Sequence, residues 1–98
     1  RSDRKMVKVD FNSILYIESL GDYLKIHTHD EIIVTRETLS SAIEKLPTKQ
    51  FLRTHRSYVV AVQKIDSYTN EHITIDKTVI PISRSYRDTT LQSLSSIK

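Results

Sequence analysis

Apolar and polar residues alternate along most of this chain, and one internal stretch switches to a helical period. Side chains of a strand point alternately to opposite faces, whereas a helix brings residues three or four apart onto one stripe. The chain therefore has mostly strand faces to bury. Val7, Val9 and Phe11 share a face over 6–11, and Leu24 and Ile26 point inward over 23–28 while Tyr23, Lys25 and His27 point out. Ile14-Leu15-Tyr16-Ile17 is continuously apolar, the pattern of a strand covered on both sides. Gly21-Asp22 is a turn pair, and Ile32-Ile33-Val34 completes a hairpin after His29-Asp30-Glu31. Further strands are expected at 51–52, 58–62, 65–68, 72–75 and 78–82, with Asn70-Glu71 and Asp76-Lys77 as turns. With a single glycine, the chain must use Asn, Asp and Lys at most turn positions.

The helical stretch holds Leu39, Ala42, Ile43 and Leu46 at i, i+3, i+4 and i+7. Thr38 is a suitable N-cap and Pro47 stops the helix, which predicts one short internal helix over about 38–46. Tyr86, Thr90, Leu91 and Leu94 fit a short helix near the C-terminus. The expected fold class is mostly β. No repeat, low-complexity tract or Pro/Gly linker divides residues 1–98, which are expected to form one domain with 1–5 as a linker remnant.

Fifteen Lys and Arg against twelve Asp and Glu give a net charge of +3, so any nucleic-acid affinity must come from clustered cations. The stretch 53–64 is such a cluster, with Arg53, His55, Arg56 and Lys64 and no acid. Zero cysteines excludes disulfides, thiolate metal sites and cysteine nucleophiles. No apolar run approaches the roughly 20 residues of a membrane span, and no signal peptide opens the chain. A cytoplasmic location without membrane partners is expected.

Arg53-Thr54-His55-Arg56-Ser57 crowds donors onto a short connection between two apolar segments. The planar guanidinium of Arg56 can grip a guanine edge bidentately in a major groove or enter a narrow minor groove. His55 and Ser57 can donate to phosphates, or His55 can hold the loop with a hydrogen bond. A second donor group, Ser83-Arg84-Ser85-Tyr86-Arg87, sits at a strand-to-helix junction where free N–H groups suit a phosphate, although Ser83 could equally be a plain N-cap. Lys25 and His27 lie on the outer face of the first hairpin, which by itself reads as ordinary strand surface.

His27 and His29 resemble a metal pair with Asp30 and Glu31 nearby, but no third ligand has a recognisable spacing. There is no G-x-S-x-G elbow and no glycine-rich phosphate loop, so neither enzyme chemistry nor a cofactor is expected.

The motifs taken together resemble a family. Ile14 to Ser19 followed by Gly21 to Thr28 is similar to the opening hairpin of LytTR domains, and Phe51 to Val60 is similar to their F-x-R-x-H-R-S-Y-x-V segment. Lys64-Ile65 and then Ile80-Pro81-Ile82-Ser83-Arg84 follow in order, so the resemblance runs from about Met6 to Leu94. It implies an elongated arrangement of small antiparallel sheets acting as the DNA-binding output domain of a bacterial two-component response regulator. It also implies readout of double-stranded DNA by loops. Tyr23 with Lys25 and, separately, Arg84 would enter successive major grooves, and Arg56 would address the minor groove between them. Arg53, His55, Ser57 and Arg87 would contact phosphates or support the loops. The implied partners are paired direct-repeat half-sites bound by a homodimer, a receiver domain absent from this chain, and a sensor histidine kinase. Two other readings are a β module binding acidic or phosphorylated partners and a single-strand binder stacking bases on tyrosines.

Overall fold

The computed structural model describes residues 10–96. After a 3₁₀ turn at Phe11–Ser13 come β1 (Ile14–Leu20), β2 (Tyr23–Thr28) and β3 (Ile32–Thr35), then helix α1 (Leu39–Glu44). β4 (Phe51–His55) and β5 (Tyr58–Ala61) lead through a 3₁₀ turn at Val62–Lys64 into β6 (Ser67–Tyr68), β7 (His72–Ile75) and β8 (Thr78–Pro81). Helix α2 (Arg84–Ser95) closes the order. The strands form a five-stranded sheet, β3-β2-β1-β5-β4, and a three-stranded sheet, β6-β7-β8, with antiparallel neighbours throughout. The molecule is elongated, 41 × 24 × 23 Å.

Both faces of the larger sheet are covered, which is why β1 and β5 read as continuous apolar runs. On one face Ile14, Ile17, Leu24 and Val59 pack against Leu39 and Ala42 of α1. On the other, Leu15, Tyr16 and Val60 meet Ile73, Ile75 and Ile80 of the small sheet and Leu94 of α2. Consecutive Leu15 and Tyr16 join the same cluster because the β1–β2 register shifts between Ile14 and Tyr16. Such a bulge turns two neighbours toward one side.

Local chemistry explains the turns. Thr38 caps α1 by accepting from Ser41 N at 3.1 Å. Gly21, at φ +59°, closes the β1–β2 hairpin in the left-handed region. Asp76 and Lys77 take φ of 49° and 69° without being glycine, the pairing a type I′ hairpin turn demands. Asp66 Oδ2 accepts from Asp76 N at 2.9 Å and fixes that turn from outside.

Several expectations change, among them the strand at 65–68, which narrows to Ser67–Tyr68, and that at 51–52, which extends to His55. The C-terminal helix is not short: it starts at Arg84 and runs twelve residues, because Thr90 and Leu94 have a buried face to fill. The internal helix is shorter than 38–46, ending at Glu44 with Lys45 as C-cap. Val62 leaves the strand for a 3₁₀ turn. Of the strand expected over 6–11, residues 6–9 lie outside the described residues, as does the proposed linker at 1–5, and Phe11 falls in a 3₁₀ turn.

Candidate nucleic-acid interface

The antiparallel order β2-β1-β5-β4 brings two hairpin tips to one end of the large sheet. Glu18 pairs with Lys25 on one side and Tyr58 on the other, so the Gly21–Asp22 tip and the Arg56–Ser57 turn project the same way. Ser19 N donates to Ser57 O at 2.8 Å and locks the two together. Two strand spacings separate the tips, roughly 10 Å. The start of α2 reaches the same end, since Ser83 N donates to Thr54 O at 2.9 Å. Tyr23, Arg56 and Arg84 thus lie toward one end of the large sheet on three separate elements.

The donors of the central segment divide into those that face outward and those that build the turn. The connection is tighter than the five residues expected: Arg53, Thr54 and His55 belong to β4, leaving Arg56 and Ser57 as the turn. Arg56 is exposed and Ser57 half-buried. Arg53 folds beneath them, donating from Nη2 to Arg56 O at 2.7 Å and from Nε to His55 O at 3.3 Å. Its guanidinium also lies 5.5 Å from the Tyr86 ring centroid, a cation–π contact linking β4 to α2. His55 Nδ1 accepts from Ser57 N at 3.0 Å, and its ring meets Tyr58 edge-on at 5.5 Å. Since Nδ1 accepts, a neutral His55 carries its proton on Nε2. Thr54, grouped with the loop donors on sequence grounds, is instead fully buried and donates to Pro81 O at 3.2 Å.

On α2, Arg84 is exposed at the first helical position. Ser83 is the N-cap residue by backbone geometry, but its side chain makes no capping bond, so the α2 N-terminus keeps free donors. Arg87, one turn on, is half-buried, and its Nε is enclosed without a hydrogen-bond partner among the described residues. At the hairpin, Tyr23 is 47% exposed and Lys25 half-buried. Arg36, which sequence reasoning missed, lies with its guanidinium 5.9 Å from the Tyr23 centroid and 4.0 Å from Asp22. Only topology could reveal it, because Arg36 follows the end of β3 beside the β1–β2 tip.

His27 is not the exposed strand residue expected. It stacks on Tyr16 with centroids 4.1 Å apart and planes at 15°, and its Nε2 lies 3.4 Å from Glu18 Oε1. His29 is exposed at the far end of β2, and no group of three or more side chains suited to a metal occurs among the described residues. Glu18 is the second residue missed: it also accepts from the Tyr58 hydroxyl at 3.2 Å. Burial raises the Tyr58 pKa above 10.0, helped by the Glu18 charge, and burial likewise raises that of Tyr16. The exposed tyrosines, Tyr23 and Tyr68, lie on different sheets, which does not make a stacking platform. No helix among the described residues is long and apolar enough to cross a membrane.

The model of the LytTr DNA-binding domain family matches residues 4–95. The sensory transduction protein LytT of Bacillus subtilis is 31% identical over 87 residues, covering 83% of this chain and 36% of that protein. A response regulatory protein of Vibrio cholerae is 34% identical over 85 residues, covering 76% and 32%. The chain spans about a third of the length of these curated relatives. In fold it is similar to the LytTr DNA-binding domain of a methyl-accepting/DNA response regulator from Bacillus cereus, with TM-score 0.80, 23% identity, and 90% and 86% of the two chains covered.

Proposed function

Because the chain belongs to the LytTr DNA-binding domain family, we propose that it is one domain that binds double-stranded DNA sequence-specifically through the residues gathered at one end of its large sheet. The observation that carries this reading is the convergence of Tyr23, Arg56 and Arg84 on three elements tied together by Ser19 N to Ser57 O and Ser83 N to Thr54 O. Arg84 is free to reach base edges in a major groove, where a bidentate arginine distinguishes guanine, and Arg56 is free to enter the adjoining minor groove. Tyr23 and Lys25 approach a neighbouring groove. Ser57, Arg87, Arg36 and the free α2 N–H groups serve phosphates, which set register. Arg53 and His55 hold the turn in shape and touch DNA only at its margin.

The function is that of a binding module rather than an enzyme. By analogy with its relatives, a receiver domain and a sensor histidine kinase control it in the cytoplasm, and a homodimer occupies direct-repeat half-sites. Fluorescence anisotropy against duplex, single-stranded and phosphopeptide ligands across a salt series tests the reading. Duplex affinity should fall steeply with salt, and ~4 phosphate contacts give a log–log slope near −3.6. A preference for phosphopeptide, or a flat response to duplex at low salt, would refute it.

A further inference from the structure

The two edges of the large sheet are treated differently by the fold. At β4, Thr54 O and Arg53 O accept from Ser83 N at 2.9 Å and Thr90 Oγ1 at 3.3 Å, so α2 and its entry cover that edge. At β3, nothing among the described residues does the same. Thr28 N donates to Glu31 O at 2.9 Å, and Ile26 and Leu24 pair with Ile33 and Thr35. In an antiparallel ladder, alternate residues bond to the same neighbour. Glu31, Ile33 and Thr35 therefore turn their backbone toward β2, and the N–H and C=O groups of Ile32 and Val34 point outward. The side chains of those two residues are 55% and 57% exposed. An open edge carrying exposed apolar side chains is a template for another strand.

We infer that β3 pairs antiparallel with β3 of a second copy of this chain, about a two-fold axis through Ile33. Three observations select a second copy. The outward backbone groups are self-complementary, because a two-fold at Ile33 sets Ile32 of one copy opposite Val34 of the other, each offering one donor and one acceptor. The side chains of this pair lie on one face, so each covers the other's exposed apolar surface. The charges also match: the strand runs from Asp30-Glu31 to Arg36, and the same register brings each acidic end to the other copy's Arg36. The Arg36 side chain is 74% exposed, and its contacts with Asp22 at 4.0 Å and the Tyr23 ring at 5.9 Å lie at the surface, so in protein without DNA it can turn toward the second copy. Glu37 does not compete for it, being held by Lys45 at 2.7 Å. Lys25 and His27, the β2 partners of Val34 and Ile32, share that face with Glu18 and Tyr16 of β1 and Tyr58 of β5, and His29 is exposed beyond the acidic end. A two-fold contact relates copies head to head. It suits inverted half-sites or unbound protein, and tandem copies on direct repeats leave it open.

The chain has no cysteine, so single-cysteine variants report the register directly. Ile33 faces itself across the axis in a non-hydrogen-bonded pair, with Cα atoms about 4.5 Å apart, within disulfide range. In the 98-residue chain, Ile33→Cys should form a covalent dimer under mild oxidation faster than Ile32→Cys, although residue 33 is the less exposed. Because Ile33→Cys could weaken folding, sedimentation velocity on charge variants gives an independent reading. Asp30→Arg and Arg36→Asp should each reduce the dimer fraction several-fold, and the double variant should restore it. Cross-linking that follows exposure, a dimer indifferent to the charge swap, or a strictly monomeric chain overturns the proposal. So does slow hydrogen exchange of the Ile32 and Val34 amides in dilute protein, which would mean another segment already covers the edge. DNA affinity enters none of these measurements.

Discussion

The Tyr58 hydroxyl donates to Glu18 Oε2 at 3.2 Å, joining the start of β5 to β1 across a separation of forty residues. The other oxygen of the same carboxylate lies 3.4 Å from His27 Nε2 on β2. Glu18 therefore spans three adjacent strands just below the two hairpin tips. The stacking of His27 on Tyr16 stiffens the arrangement from beneath. In a partly buried setting such hydrogen bonds are stronger than in water, and an orphaned partner is costly.

Glu18→Ala should therefore lower stability by about 1–2 kcal/mol, because Tyr58 and His27 lose their shared acceptor. Duplex affinity should fall as well, although Glu18 faces no ligand, since the tips lose their alignment. Chemical denaturation and anisotropy on the same preparation check this. Glu18→Gln keeps an acceptor and should recover most of the stability.

Two neighbouring arginines should separate cleanly by experiment. Arg56 is exposed and Arg53 is bonded to the backbone of the turn. Arg56→Ala should cost on the order of 1–3 kcal/mol of binding and relax base preference, with an unchanged melting temperature. Arg53→Ala should lower the melting temperature and weaken binding to all duplexes alike, because it frees the turn and uncovers Tyr86. Competition among variant duplexes distinguishes the two patterns.

Burial and the Glu18 charge raise the pKa of Tyr58, and burial raises that of Tyr16. A raised folded-state pKa means that the folded protein holds its proton more tightly than the unfolded chain. The associated stability is fully present below the ordinary tyrosine value of 10.0 and is lost as pH rises through the folded-state values. Stability should thus decline above about pH 10. Tyrosinate absorbance should show two groups titrating late, and Glu18→Gln should bring the Tyr58 transition down.

Much of this arrangement could be read from residue order, and the reasons for success and failure are physical. Alternation located the strands because one face of each must be buried, and the continuous run at Ile14 to Ile17 announced burial on both faces. The resemblance to LytTR domains implied an elongated arrangement of small antiparallel sheets, which periodicity alone does not specify; that there are two, of five and three strands, is the structure's addition. Arg56 and Arg84 are exposed, as side chains that no neighbour in sequence requires. Glu18 and Arg36 were invisible because their roles depend on which strands become neighbours. For Arg53 the resemblance allows a phosphate contact or a support, and its backbone acceptors, two and three residues away, are presented only by the turn geometry. Thr54, a hydroxyl in a polar stretch, reads as surface until β8 and the entry to α2 close over it.

Thr54 provides the sharpest check on how the third loop is positioned. It is fully buried, its Oγ1 donates to Pro81 O, and its own carbonyl accepts from Ser83 N, the residue before Arg84. Thr54→Val preserves shape but leaves Pro81 O without that donor, which should cost about 1–2 kcal/mol. The backbone bond from Ser83 remains possible, so α2 should stay attached while its entry loosens. Hydrogen exchange at the Ser83 amide should accelerate. Duplex affinity should fall less than in Arg84→Ala, which removes the reading group itself. If Thr54→Val matched Arg84→Ala in binding while keeping full stability and slow Ser83 exchange, Thr54 would not act through the position of Arg84.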